Sequence, residues 1–245
     1  VRRSFAAATD TYDQLAGLQR KVGLELLQRF PVMAVDGVDL GCGTGFLTTE
    51  LLRNQPKAAW LALDIAWPML MAARNKLSRQ TAVRYLCADA EALPLASASV
   101  GQIYSNLALQ WCEELASVLK DCQRILQPGG QLVFATFGPA TLQELRAAWQ
   151  QVDDYVHVND FYSCSAIHNW LIAAGFSDVT IASTVYRSEY PSVLHLMHEL
   201  KGIGAHNVSH QRNHAPTTRR QLQAMIQAYQ QAMAGSVIVA SYEII

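Results

Sequence analysis

Three glycines at alternate positions stand between an apolar segment and a helical pattern. Gly41, Gly43 and Gly45 follow the apolar run 35–40 and precede the helical pattern 47–53. Because glycine adopts positive φ and carries no Cβ, the backbone can turn sharply there and approach a ligand closely. The first N–H groups of the following helix have no partner within that helix. The segment predicts a strand, a turn and a helix that bind a nucleotide-type cofactor, with a plain tight turn as the alternative.

An acidic residue, Asp39, lies two positions before the first of these glycines. The G-x-G-x-G spacing differs from the G-x-G-x-x-G motif, which places a pyrophosphate at a helix N-terminus. A carboxylate beside the turn disfavours a pyrophosphate and favours a ligand that carries positive charge. The pattern therefore argues against a dinucleotide-dependent dehydrogenase.

Two more acidic residues follow apolar runs further along the chain. Asp64 ends the run 60–64, and Asp89 follows the run 83–87. In parallel sheets the carboxyl ends of the strands meet at one edge, so we expect both acids to face one crevice with Asp39. There Asp64 would accept the hydroxyls of a ribose and Asp89 an exocyclic adenine amine. For each acid, a solvated strand end or a helix N-cap is the alternative.

Strand patterns alternate with helical patterns over the first half of the chain, which predicts a doubly wound parallel α/β sheet. A helical stripe precedes the first strand, at 10–30, and Thr141 with Glu144 has the form of a capping box that opens a helix. Helical patterns at 192–202 and 217–233 interrupt the last two predicted strands. We predict a single domain with four parts: a helical cap at 1–33, a cofactor-binding core at 34–186, a helical lid at 187–235 and a final strand at 236–245.

Composition narrows the classes of protein that fit. The hydrophobic fraction of 51% indicates a folded globular chain, and the net charge of −1 argues against nucleic-acid binding. The five cysteines form no C-x-x-C pair, which is typical of free thiols in the cytoplasm. No apolar run approaches the length of a membrane span. We therefore expect a cytoplasmic monomer with neither nucleic acid nor membrane as a partner.

Five of the seven histidines fall between positions 195 and 214. Because no carboxylate or cysteine accompanies them at ligand spacing, a polar lid surface is the favoured interpretation over a metal site. We expect no metal. The same region has one acidic residue, Glu199, and four basic residues: Lys201, Arg212, Arg219 and Arg220. Its positive charge would steer an acidic partner protein, unless it is only a solvated charged loop.

The glycine turn, the strand-end acids, the pair Leu93-Pro94 and the run 126–130 together resemble the class I S-adenosylmethionine-dependent methyltransferases over residues 35–137. The resemblance implies S-adenosylmethionine as methyl donor, S-adenosylhomocysteine as product, and a Rossmann-like seven-stranded sheet whose last strand is antiparallel. The cofactor-binding candidates lie in the leading helix, the turn and the strand ends: Tyr12, Gln19, Asp39, Gly41, Gly43, Gly45, Asp64, Ile65, Asp89, Ala90, Ser105 and Asn106.

Segments outside those motifs resemble the malonyl-[acyl-carrier protein] O-methyltransferases of biotin biosynthesis. They are 3–5, 105–112, 136–146, 157–159 and 200–205. The resemblance implies methyl transfer to the free carboxylate of a malonyl thioester on acyl carrier protein or coenzyme A. A small-molecule or quinone C- or O-methyltransferase and a non-catalytic adenosylmethionine-binding module remain as alternatives.

Such a reaction needs positioning more than acid–base chemistry. A carboxylate with a pKa near ~4 is ionised at neutral pH, so no general base is required. Arg146 is a candidate to hold the substrate in a bidentate fork, with Lys201 as a second cation. Tyr12 is a candidate to cover the methyl end of the cofactor. Gln110 and Trp111 either line the substrate pocket or belong to the core.

Overall fold

The computed structural model describes residues 1–205, 217–233 and 237–245. Its central sheet has five parallel strands in the order β3-β2-β1-β4-β5. Their bounds are β1 Gly37–Leu40, β2 Trp60–Asp64, β3 Val83–Cys87, β4 Val100–Asn106 and β5 Leu126–Ala135. The strand order reverses between β1 and β4, which is where α/β sheets of this kind bind ligands. The predicted doubly wound parallel sheet is confirmed.

Two further strands form an antiparallel pair, β6 (Thr184–Tyr190) with β7 (Ile238–Ile244). The chain after β5 continues alongside β7, because Thr136 and Ile245 exchange both backbone hydrogen bonds at 2.9 Å. Within the described ranges these pairings give seven strands with the last one antiparallel, as predicted.

The leading helical stripe is two helices, α1 (Arg2–Leu15) and α2 (Gly17–Arg29), and the prediction of one helix over 10–30 was wrong. The chain bends at Ala16, which is buried with φ −80° and ψ 41°. Helix α1 packs on the fourth and eighth helices, whereas α2 packs on the third helix and the sheet. The remaining helices are α3 Phe46–Asn54, α4 Trp67–Lys76, α5 Leu115–Ile125, α6 Gln143–Gln150, α7 Cys164–Ala174, α8 Val193–Gly202 and α9 Arg219–Ala232.

The predicted capping box at Thr141 and Glu144 does not form. Leu142 occupies the N-cap of α6 with φ 54°, and the Thr141 hydroxyl donates to the carbonyl of Glu243 at 3.1 Å. The Glu144 carboxylate accepts from the backbone N–H of Ser241 at 3.0 Å. Both side chains therefore hold β7 and not their own helix. A capping box is present instead at α9, between Thr218 and Gln221.

Apolar packing on both faces of the sheet fixes the strand ends that carry the site. On one face, α5 buries its whole apolar stripe, from Leu115 to Ile125. On the other, Trp60 and Tyr104 are buried in an edge-to-face contact with ring centroids 6.1 Å apart. Burial of each such side chain stabilises the fold by roughly 1.5–3 kcal/mol. Among the described helices, none is both long and apolar enough to span a membrane.

Candidate functional site

The glycine turn has the backbone conformation that its composition predicts. Gly41, Gly43 and Gly45 have φ of 77°, 53° and 83°. A Cβ on Gly41 would lie 2.2 Å from the Cβ of Ala108, so the backbone after β1 passes directly against the segment after β4. A Cβ on Gly43 would meet only the ring of Tyr12, at 3.9 Å. The turn is therefore packed tightly on one side and open on the side that faces Tyr12.

Asp64 ties this turn to the start of α4. Its Oδ2 accepts the backbone N–H of Gly43 and its Oδ1 that of Ala66, both at 2.8 Å. Burial raises the pKa of Asp64, although these backbone N–H bonds oppose the shift. An ionised carboxylate has about four lone-pair sites, so two remain for a ligand's hydroxyl groups.

Asp39 lies behind the turn and is 1% exposed. The Thr48 hydroxyl donates to its Oδ2 at 2.5 Å, whereas Oδ1 is buried with no hydrogen-bond partner among the described residues. Burial raises the pKa of Asp39 to about 7; the Thr48 bond opposes this shift, and the charge of Asp64 adds to it. A buried acceptor without a partner is costly, and a cationic group near the turn would relieve that cost.

The raised pKa of Asp39 predicts how the free energy of unfolding depends on pH. The folded protein holds the Asp39 proton up to about pH 7, whereas the unfolded chain releases it near 3.8. Stability therefore falls as pH rises from about 3.8 to about 7, by about 4 kcal/mol in total, and then stays constant. We measure the melting temperatures of the ligand-free Asp39→Asn variant and of the parent protein at pH 5 and at pH 8. The difference, variant minus parent, is expected to be larger at pH 8. The control is Asp160→Asn, at a side chain that is 88% exposed. A difference as flat for Asp39→Asn as for the control would contradict the prediction.

A cleft opens in front of the turn, at the carboxyl edge of the sheet. Many predicted cofactor residues line it: Tyr12, Gly41, Gly43, Asp64, Ile65, Asp89, Ala90 and Asn106. Asp89 is exposed there, and its Oδ1 accepts the backbone N–H of Glu91 at 3.0 Å. The Oδ1 of Asn106 is a buried acceptor without a partner in the described part of the chain. The cleft thus offers carboxylates along one wall and an unpaired amide oxygen.

Three predicted cofactor residues support the cleft from behind and do not line it: Asp39, Gly45 and Ser105. The Ser105 hydroxyl donates to the carbonyl of Leu40 at 2.7 Å and so joins β4 to β1. A Cβ on Gly45 would lie 3.0 Å from that of Ala73, so this glycine permits close packing of the turn on α4.

Helix α1 covers the glycine turn and is fastened to it. The Thr44 hydroxyl donates to Asp13 Oδ1 at 2.5 Å, and Lys76 of α4 donates to Asp13 Oδ2 at 2.9 Å. Partial burial alone would raise the pKa of Asp13, but the hydrogen bonds from Lys76 and Thr44, together with the charges of Lys76 and Arg20, outweigh it and lower that pKa. These contacts hold Tyr12 over the cleft.

A second cavity adjoins the cleft. The two share a wall of four residues: Phe5, Tyr12, Leu107 and Trp111. Phe5 and Trp111 pack edge to face with centroids 5.4 Å apart. Gln19 and Gln110 also line the second cavity, and Gln110 Nε2 donates to the carbonyl of Leu107 at 2.7 Å. We call this mainly apolar space the acceptor chamber.

The two predicted substrate cations lie outside the lining of the acceptor chamber. Arg146 donates to the carbonyls of Asn159 at 3.0 Å and Pro139 at 3.4 Å, so its guanidinium fastens the loop after α6. Its Nε is buried without a partner among the described residues. Lys201 is exposed on α8, while its neighbours Leu200 and Ile203 line the chamber.

One of the chamber residues that were not predicted as site residues is a histidine. His157 lines the chamber, with Nε2 2.7 Å from Asp153 Oδ1 and its ring stacked on Trp149. The sequence signals were the family resemblance of the segment 157–159 and a carboxylate four positions before the imidazole. Because residues 151–163 are not helical, helical spacing gave no reason to pair them.

The histidine-rich segment is only partly described. His195 Nδ1 is hydrogen-bonded to the Ser192 hydroxyl at 2.8 Å, at the start of α8. His206, His210, His214 and Arg212 lie outside the described residues. Within 1–205, 217–233 and 237–245, no group of three His, Cys, Asp or Glu side chains is arranged to hold a metal ion.

Known proteins share both the cofactor region and the rest of this chain. A family described as "Methyltransferase domain" matches residues 38–134. The malonyl-[acyl-carrier protein] O-methyltransferase of Methylococcus capsulatus is 42% identical over 246 residues, covering 99% of this chain and 90% of that protein. The chain belongs to the malonyl-[acyl-carrier protein] O-methyltransferase family of class I S-adenosylmethionine-dependent methyltransferases.

Other family members and solved structures agree with that assignment. The bifunctional biotin biosynthesis protein BioHC of Cellvibrio japonicus is 39% identical over 100% of this chain but only 48% of its own length. A putative methyltransferase from Bacillus halodurans superposes with a TM-score of 0.64 at 17% identity, covering 91% of this chain and 95% of that one. The latter similarity supports the fold alone.

Proposed function

We propose that this protein transfers a methyl group from S-adenosylmethionine to the free carboxylate of a malonyl thioester on acyl carrier protein, for biotin synthesis. The observation that carries the proposal is the 42% identity over nearly all of both chains, because it extends through the segments that line the acceptor chamber. A small-molecule or quinone methyltransferase would share mainly the cofactor region.

The residues of the cleft fit the cofactor. Asp64 has free lone pairs for ribose hydroxyls, and the exposed Asp89 suits an adenine amine. The open side of Gly43 leaves room for close approach. Behind the cleft wall, the buried and unpartnered Oδ1 of Asp39 would be stabilised by the positive charge of a methionine ammonium or sulfonium. When bound, the cofactor supplies an electrophilic methyl group on a sulfonium.

The protein's own contribution is alignment and exclusion of water. The acceptor carboxylate is already ionised, so no residue needs to remove a proton from it. Burial and the nearby charge of Asp64 raise the pKa of Tyr12, which keeps its hydroxyl protonated as a donor between the two cavities. Holding the reacting groups in line can supply roughly 7–11 kcal/mol. The product ester lacks a charge whose burial in a later apolar channel would be costly.

We infer that α8 and α9 belong to a lid at 187–235 which closes the chamber and receives the carrier protein. Leu200, Ile203 and Ala205 line the chamber from this side, and Lys201 is exposed beside them. Arg219 and Arg220 begin α9 and are exposed as well. These cations would steer an acidic carrier. We further propose that the protein acts in the cytoplasm as a monomer, with neither nucleic acid nor membrane as a partner.

The test is transfer of labelled methyl to three acceptors in parallel. We expect product with malonyl-carrier protein and less with malonyl-coenzyme A, because carrier contacts are lost. Little product is expected with succinyl-carrier protein, because its additional methylene group would move the carboxylate out of line with the methyl donor. Product only with the succinyl acceptor would overturn the proposed substrate. Tight cofactor binding with no transfer to any of the three would instead favour a non-catalytic binding module.

A further inference from the structure

The described lining of the acceptor chamber holds several neutral polar side chains but few charged ones. Its charged or ionisable residues include Glu199, which accepts from Tyr190 at 2.7 Å and would repel a carboxylate. Neither Arg146 nor Lys201 lines it. Of the described lining residues, His157 alone has a side chain that can carry positive charge near neutral pH.

His157 is held rigidly. Its ring stacks on Trp149 with centroids 3.7 Å apart and planes 5° apart, and its Nε2 lies 2.7 Å from Asp153 Oδ1. Asp153 is itself fixed, because Tyr155 donates a backbone N–H to Oδ1 at 3.1 Å and Gln221 of α9 donates to Oδ2 at 3.3 Å. The His157 and Asp153 side chains are only 14% and 13% exposed.

The carboxylate of Asp153 determines which ring nitrogen of His157 is available to bind a ligand. With the Nε2–H donated to Asp153, the ring's remaining nitrogen is Nδ1. A proton on Nδ1 then makes a charge-assisted donor in a mainly apolar space. When one oxygen of the substrate carboxylate accepts this hydrogen bond, the other oxygen remains available to accept the methyl group.

We propose that His157, oriented by Asp153 and Trp149, binds the free carboxylate of the acyl substrate and thereby selects the acid over its ester. This rests on the proposed function, because it names the residue that recognises the malonyl acid. Arg146 then has an indirect part, since it fastens the loop that carries His157 through the carbonyl of Asn159.

The experiment compares two ligands that differ by one charge. Malonyl-pantetheine and its methyl ester are titrated into the protein saturated with S-adenosylhomocysteine, so that no transfer occurs. We expect the parent protein to prefer the acid, and His157→Ala to weaken acid binding by about 10- to 100-fold with little change for the ester. His157→Asn, which keeps an N–H close to the Nδ1 position, should recover part of the loss.

Two further variants separate recognition from folding. Asp153→Asn removes the charge that pairs with the ring and should also lower the preference for the acid. His168→Gln, at an exposed position on α7, is the matched control and should leave both affinities unchanged. An equal loss for acid and ester in His157→Ala would indicate a structural role and overturn the proposal, as would no loss for either.

Failure of the proposed function has a different signature. The parent protein would then not methylate malonyl-carrier protein at all, whatever residue occupies position 157. If the parent is active and His157→Ala retains both its activity and its preference for the acid, only the assignment of His157 fails.

Discussion

Gly41→Ala is expected to destabilise the protein by about 2–5 kcal/mol and to abolish measurable cofactor binding. Two costs add: a Cβ at φ 77°, and a Cβ–Cβ approach of 2.2 Å to Ala108. Relief of the clash would move the glycine turn, and with it the N–H of Gly43 that Asp64 accepts. Thermal unfolding with and without S-adenosylmethionine measures both effects, and at about 2–4 °C per kcal/mol the loss is easily resolved.

Gly129→Ala is the matched control for backbone conformation. Gly129 has φ 79°, almost the same as Gly41, but an added Cβ there would meet nothing within 4 Å. This variant should show only the conformational cost, about 1–2 kcal/mol, and normal cofactor affinity. Ala108→Gly in the Gly41→Ala background should restore part of the stability. Equal behaviour of the two glycine variants would contradict the role of the close approach.

Asp64→Asn is expected to weaken binding of S-adenosylmethionine by about 10- to 100-fold. The carboxylate accepts from both Gly43 and Ala66, whereas an asparagine can offer only one oxygen to these two donors. Hydrogen bonds from a ligand's hydroxyls to a charged acceptor are also lost, at roughly 1.5–3 kcal/mol. Calorimetric titration with S-adenosylmethionine measures the change directly.

Asp36→Asn tests whether that effect belongs to the cleft. Asp36 precedes β1 and accepts the backbone N–H of Ala59 at 2.8 Å, at the amino end of the sheet. The substitution therefore removes the charge of a carboxylate that also accepts a backbone N–H, but far from the ligand. Its cofactor affinity should match that of the parent protein. A similar loss of affinity in both variants would mean that Asp64 acts only through stability.

Local sequence was sufficient wherever short-range rules decide the structure. The bounds predicted for β2 and β3 match the structure residue for residue, and all three glycines of the turn adopt positive φ. These features follow from apolar runs and from conformations that glycine tolerates best. The carboxyl edge of the sheet could be located from them, together with the acids that line the cleft.

Contacts between distant segments were not predictable in this way. The sequence predicts a capping box formed by Thr141 and Glu144. In the structure both side chains instead form hydrogen bonds with β7, about 100 residues later: Thr141 with the carbonyl of Glu243, and Glu144 with the backbone N–H of Ser241. The bend at Ala16 is stabilised by packing of α1 on α4 and α8, which no helical stripe encodes. Arg146 likewise finds carbonyls of a neighbouring loop. In each case a side chain's role depends on a partner that its own segment does not specify.

The wall shared by the two cavities has a thermodynamic consequence. Phe5 and Tyr12 belong to α1, which Asp13 fastens to the glycine turn through Thr44 and Lys76. A ligand in one cavity that immobilises α1 therefore lowers the entropic cost of ordering α1 when a second ligand binds in the other cavity. Thermodynamic linkage requires this effect to be mutual. Binding of the ligand in either cavity therefore raises the binding affinity of the other ligand by the same factor. One helix thus adds an indirect coupling between the methyl donor and the acyl chain, beyond the contact that methyl transfer itself requires.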